Sequence, residues 1–185
     1  MDVFTAFGLS ASAGLNAYIP LLVVALLARF SGWIDLQTPW SALESWWVIG
    51  VLILLSLVEF FADKIPAVNH VNDLIQSFLR PTAGAIVFAA STRVAAVNPI
   101  LAMIAGLLVA GGVHAVKSVA VRPAVTASTG GTANVPVSIM EDIISTVLSI
   151  LAVVIPVLIA AVIILLVSWL IWFMWRRSNR KSLVK

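Results

Sequence analysis

The chain has 185 residues, 62% of them hydrophobic and only 10% charged, with a formal net charge of +3 and a mean hydropathy of +1.11. A soluble domain carries about 25% charged residues, so this composition cannot cover a water-facing surface and excludes a soluble globular domain. The absence of cysteine removes disulfides, thiolate metal sites and cysteine nucleophiles.

The length admits about five spans of roughly 20 residues each. The first is expected over residues 3–28. Met1 and Asp2 supply no basic start and the apolar run is too long for a signal peptide, so it reads as a retained helix. Pro20 is expected to kink it, because the ring removes a donor and collides with the preceding turn. Residues 29–40 form a loop carrying an interfacial Trp33. Ser41 and Glu44 have capping-box spacing, so a second helix is expected from Ala42 to Lys64, with Trp46 and Trp47 at a water–lipid boundary.

Residues 67–80 alternate polar and apolar positions at helical spacing and read as an amphipathic helix lying at the interface. Pro81 opens a third apolar segment, 82–98, which either spans or is re-entrant. A fourth span covers 100–118, followed by a polar connection over 119–136. Ser138 and Glu141 form a second capping box, starting a long final helix over 139–175 that Pro156 should bend. The fold class is therefore all-α: a polytopic integral membrane bundle of about five transmembrane helices plus one interfacial helix. Residues 1–175 make one membrane-embedded domain and 176–185 a basic tail.

That tail holds Arg176, Arg177, Arg180, Lys181 and Lys185 and no acid. It is expected to lie in the cytoplasm against anionic lipid headgroups, with the protein in the inner (plasma) membrane. Five spans then put the N-terminus outside; a re-entrant third segment would move it inside. Trp169, Trp172 and Trp175 read as an aromatic belt beside the tail. Segments 3–81 and 82–123 look weakly alike, with Asn16 and Pro20 matched by Asn98 and Pro99, as an internal duplication would leave them.

The ionisable residues near hydrocarbon point to a polar site. Glu59 and Asp63 are i,i+4 neighbours near the end of the second helix, and His114 and Lys117 are i,i+3 neighbours near the end of the fourth. Charges at such depth are paired or turned toward water, so an acidic patch meeting a basic one is expected. It reads either as a gate or binding site, with His114 or Glu59 exchanging protons, or as a structural network holding two helices in register. Asn16 is the other deep polar residue, a candidate ion ligand at a broken helix or an interhelical hydrogen bond. Asp73, Arg80, Arg122, Asn134, Glu141 and Asp142 are secondary candidates on the same side. No metal-ligand spacing and no nucleophile–base pair is present, so neither a metal, a cofactor nor an enzymatic activity is expected, and no nucleic-acid partner.

The run Glu59…Ala62-Asp63-Lys64-Ile65-Pro66, then Asn72-Asp73, Arg80-Pro81, His114…Lys117…Arg122-Pro123, Thr129-Gly130-Gly131…Asn134…Ser138…Glu141-Asp142, together with Gly14-Leu15-Asn16-Ala17-Tyr18, resembles an uncharacterised bacterial multi-pass membrane protein family, domain of unknown function 4126. The resemblance covers roughly residues 3–165. It implies a small multi-pass inner-membrane protein and no particular activity. The residues themselves favour a transporter or channel-like component for a small polar or ionic solute. The alternative is a non-transporting accessory or assembly subunit, binding a membrane-protein partner or further copies of itself. A polar cavity joining Asn16 to the Glu59/His114 patch would favour the first; ion pairs closed on themselves would favour the second.

Overall fold

Asn16 ends the first helix. The computed structural model describes residues 3–32, 34–64, 66–91, 98–155, Trp172 and Arg176. It has α1 over Val3–Leu15 and α2 over Tyr18–Ser31. The single kinked helix expected over 3–28 is thus two helices, and the break lies at Asn16 rather than Pro20. The cause is local: Asn16 Oδ1 accepts the N–H groups of Tyr18 (3.0 Å) and Ile19 (3.1 Å), which are orphan donors at the start of α2. Pro20 sits in the first turn of α2, where a missing N–H is tolerated.

The chain reverses at this break. Ala6, toward the far end of α1, clusters with Phe88, Ala89 and Ala102, and Trp40 packs on that cluster. Trp40 opens a short 3-10 helix, Trp40–Glu44, leading into α3, Trp46–Ala62. Trp46 in turn meets Phe30 edge-on at 5.7 Å, at the far end of α2. Both far ends therefore lie together, and Asn16 is the tip of a helical hairpin. Gly32, at φ 64°, closes α2 in the left-handed conformation that glycine adopts without a Cβ penalty.

The N-cap of α3 is Ser45, not Ser41. Its backbone is extended and its hydroxyl accepts the Val48 N–H at 3.3 Å, while Ser41 is taken up in the 3-10 turn. Next, α4 runs unbroken over Pro66–Ser91 with Pro81 inside it. The interfacial helix and the third segment expected on either side of Pro81 are one helix, and the boundary of the suspected duplication falls within it. Packing holds α4 together past the proline. A Cβ on Gly84 would collide with Ala110 and lie 2.7 Å from the Gly106 carbonyl oxygen of the next helix, so the two backbones are in direct contact.

That next helix, α5 (Pro99–Val116), starts where expected, with Asn98 accepting the Ile100 N–H at 2.9 Å. It does not stop at Ser118. A π-helical turn, Lys117–Val121, carries the chain into α6, Arg122–Thr129. The polar connection expected over 119–136 shrinks to a turn around Gly130 and Gly131, both at positive φ. The last described helix, α7 (Asn134–Val154), begins ahead of Ser138. The capping box expected at Ser138 and Glu141 is therefore absent, and both residues instead turn their side chains inward.

Polarity is distributed inside out. The buried face of α1 includes Ser10 and Ser12, and that of α7 Ser138, Glu141, Ser145 and Ser149. Ser12 Oγ lies 2.8 Å from Ser145 Oγ and 2.7 Å from Ser149 Oγ, clasping α1 to α7. By contrast Leu54 on α3, Leu108 on α5 and Ile143 on α7 are exposed. Among the described residues two stretches, Pro99–Thr129 and Asn134–Val154, are long and apolar enough to cross a membrane. The Arg176 guanidinium lies 5.0 Å from the Trp172 ring centroid. The expected bend at Pro156, the final helix beyond Ile155, Arg93, Trp33, Trp169, Trp175 and the tail residues Arg177, Arg180, Lys181 and Lys185 lie outside the described residues.

Candidate functional site: a buried charge cluster

Arg80 is the hub. It is fully buried at the middle of α4, with Nη2 2.9 Å from Glu59 Oε1 and 3.9 Å from Asp63 Oδ2. Nη1 lies 3.2 Å from His114 Nδ1. The acidic pair of α3 and the titratable end of α5 thus meet through a third helix, not face to face. A secondary candidate in the sequence, Arg80 is the residue that joins the two primary pairs.

The geometry assigns the His114 tautomer. A guanidinium has donors and no acceptor, so Nδ1 accepts from Arg80 and the ring proton sits on Nε2. Nε2 lies 3.1 Å from Ser77 Oγ, and that hydroxyl donates to the Asp73 carbonyl oxygen at 2.8 Å. The imidazole is neutral in this arrangement, and a second ring proton would break its bond to Arg80.

Around this core the remaining charges close into a network. Lys117, on the π-helical turn, reaches Glu141 Oε2 at 2.6 Å and the Leu15 carbonyl oxygen at 3.2 Å. Arg122 donates to both oxygens of Asp73, at 2.9 and 3.0 Å, and lies 3.5 Å from Asp63 and 3.5 Å from Glu141. Asp63 also accepts from Asn72 at 2.5 Å and from Ser138 at 3.1 Å. The tip of the hairpin joins through Asn16 Nδ2, which donates to Asp142 Oδ1 at 3.0 Å, while Lys64 Nζ stands 3.7 Å from Asp142 Oδ2.

Every primary candidate, Asn16, Glu59, Asp63, His114 and Lys117, therefore falls in one region, and so do Asp73, Arg80, Arg122, Glu141 and Asp142. Asn134 does not: its side chain exchanges hydrogen bonds with Thr126 on the exposed α6–α7 turn. Asn72, Ser77 and Ser138 also enter the cluster, though none carries a charge that would single it out as a site candidate in the sequence. The last had a visible signal, since Ser138, Glu141, Ser145 and Ser149 recur at helical spacing on one face.

The charge balance is uneven. Glu59, Asp63, Asp73, Glu141 and Asp142 are five carboxylates, set among four cations, Lys64, Arg80, Lys117 and Arg122. With His114 neutral, the cluster holds one more acid than base among the described residues. Those residues contain no group of three or more metal-ligating side chains arranged to hold an ion.

A cleft adjoins the cluster between α3 and α7. It has a volume of about 420 Å3, and Asn16, Ser56, Asp142 and Thr146 line it together with apolar side chains.

No curated protein and no solved structure matches the chain. A family match covers residues 3–177, which is nearly the whole chain and includes every residue of the cluster. The chain belongs to the family described as Domain of unknown function (DUF4126).

Proposed function

We propose that this is a multi-pass integral membrane protein that passes a small cation or a proton through the charge cluster. The observation that carries the reading is the cluster itself: five acids and four bases, largely buried, in an apolar bundle whose outward faces are hydrocarbon. Charges at membrane depth are costly and persist where they are paired or line a path for ions or protons. The surplus carboxylate attracts a cation. Protonation of His114 at Nδ1 would release Arg80 from the imidazole, giving a proton a means of loosening the network.

The hairpin supports the same reading and favours a four-crossing topology over five. If α1 and α2 enter and leave on one side, then α3, α4, α5 and α7 are the crossings, and the N-terminus lies on the side of the basic tail. That cytoplasmic side would hold seven basic residues (Arg29, Arg93 and the five of the tail) against Asp2, Asp35 and Glu44, in line with the positive-inside tendency. Interrupted backbone at membrane depth is tolerated where it is buried in protein or lines a cavity; at the Asn16 tip it meets both. The inner membrane of a cell is the proposed location.

The test is flux. Purified protein is placed in phosphatidylcholine vesicles under an imposed membrane potential, and uptake of H+, Na+ and K+ is followed with entrapped dyes. Saturable uptake above protein-free vesicles is expected, and it should fall in Glu59→Gln. One observation favours a second reading, a non-transporting accessory subunit: each carboxylate of the cluster has a cationic side chain within 4 Å. Folded protein that moves none of the three cations would select it.

A further inference from the structure

We propose that the cleft between α3 and α7 binds a small amphiphile with a cationic ammonium head, seated on Asp142 with its hydrocarbon body between the two helices. The inference rests on the membrane placement proposed above and concerns the cleft beside the charge cluster, which shares Asn16 and Asp142 with it.

The cleft has two chemical ends. Its inner end presents Asn16, Ser56, Asp142 and Thr146; its walls are apolar, with Leu57 and Phe60 from α3 and Ile139 and Ile143 from α7 among them. These wall residues are themselves exposed, Leu57 at 52% and Ile143 at 49%, so the mouth opens on the outer surface of the bundle. In a bilayer that surface faces lipid, and entry is sideways from the hydrocarbon. The volume, about 420 Å3, lies within the range of about 300–1,000 Å3 usual for small-molecule sites.

Two acceptors at the inner end are vacant. Asp142 Oδ1 is taken by Asn16, but Oδ2 is buried and has no hydrogen-bond partner among the described residues, and neither has Ser56 Oγ. Lys64 does not fill the role. Its Nζ donates to the Phe60 carbonyl oxygen at 2.7 Å and sits over the Phe60 ring, leaving 3.7 Å to Asp142 Oδ2. A buried carboxylate oxygen that accepts no hydrogen bond is costly even with a cation nearby. The complement is a donor with positive charge, and a primary ammonium offers three donors to the acceptors at this end. The surplus acid of the neighbouring cluster adds to the selection of a cation over an anion or a neutral head.

The experiment uses the full chain in phosphatidylcholine nanodiscs with three photoreactive probes of equal chain length. Each carries a diazirine near the chain end and differs only in its head: ammonium, alcohol or carboxylate. The labelled residues are read by peptide mass spectrometry. The expected result is labelling of the α3 and α7 walls by the ammonium probe at least tenfold above the carboxylate probe, competed by excess octylammonium. Asp142→Asn should remove that preference while leaving alcohol labelling in place, and Leu57→Trp, which fills the mouth, should reduce labelling by all three. Equal labelling by the three heads would mean that the cleft takes only a hydrocarbon chain and would overturn the proposal, as would an Asp142→Asn protein that keeps the ammonium preference. The comparison of heads on the unaltered chain decides the matter even if Asp142→Asn does not fold. Cation flux without head-selective labelling removes this inference and leaves the transport reading; head-selective labelling without flux keeps the binding site and removes transport.

Discussion

Arg80 and Glu59 form an ion pair at 2.9 Å with both side chains about 1% exposed. Glu59 Oε2 and Arg80 Nε have no hydrogen-bond partner among the described residues, so the pair is buried without being fully satisfied. Removing one partner of such a pair leaves a buried charge uncompensated and typically costs about 3–5 kcal/mol. Arg80→Gln is expected at that level, because it strands Glu59 and removes the donor to His114 Nδ1, while Asp63 keeps Arg122 at 3.5 Å. Glu59→Gln should cost less, since Arg80 keeps Asp63 and His114. The double variant should fall short of the sum of the two by about 1–3 kcal/mol, read from unfolding in one fixed detergent. Strict additivity would show that the two residues do not act as a pair.

Gly84 is expected to tolerate no side chain. A Cβ there would collide with Ala110 and press on the Gly106 carbonyl, and overpacking a close helix contact costs about 1–3 kcal/mol. Gly112 lies on the same α5 with nothing within 4 Å of a built Cβ. Gly84→Ala should lower the melting temperature clearly, while Gly112→Ala leaves it level or raises it, because alanine is the better helix former. Equal effects at the two positions would contradict the contact between α4 and α5.

Asn16 should matter through both ends of its amide. Asn16→Ala loses the cap on Tyr18 and Ile19, about 0.5–2 kcal/mol, and also the bond to Asp142. Asn16→Asp keeps a capping oxygen but sets a second carboxylate against Asp142, so it should be no better than alanine. Hydrogen exchange at the Tyr18 and Ile19 amides checks the cap directly: protection should drop in Asn16→Ala and persist in Asn16→Asp.

How much of this was legible in the sequence differs from residue to residue. Glu59, Asp63, His114 and Lys117 stand at helical spacing near helix ends, and that regularity alone singles them out in a chain with so few charges. Arg80 was harder to rank, because the proline beside it reads as a helix boundary and suggests a loop or an interface. Only the contact of Gly84 with Gly106 and Ala110 reveals why the helix continues through Pro81 and brings Arg80 to the centre. The hairpin at Asn16 was hidden for a similar reason. Pro20 is the stronger breaker by propensity, but the break follows the side chain that can cap α2 and bond Asp142 at once, and Asp142 is 126 positions away. Asn134 differs in the opposite sense: it is a secondary candidate by its place on the same side as the charges, but its amide is spent locally on Thr126.

The central claim is that the chain turns back at Asn16, so that the start of α1 and the end of α2 lie on one side of the bundle and the cluster on the other. The chain has no native cysteine, and single cysteines can therefore be read without background. Gln37→Cys reports the exposed loop after α2 and Ser128→Cys the exposed end of α6, each probed with a membrane-impermeant maleimide in oriented vesicles alongside an N-terminal epitope tag. The account predicts that Gln37→Cys and the tag react from one side and Ser128→Cys from the other. Reaction of the tag and Gln37→Cys from opposite sides would mean that α1 and α2 cross the membrane as one helix, and would contradict it.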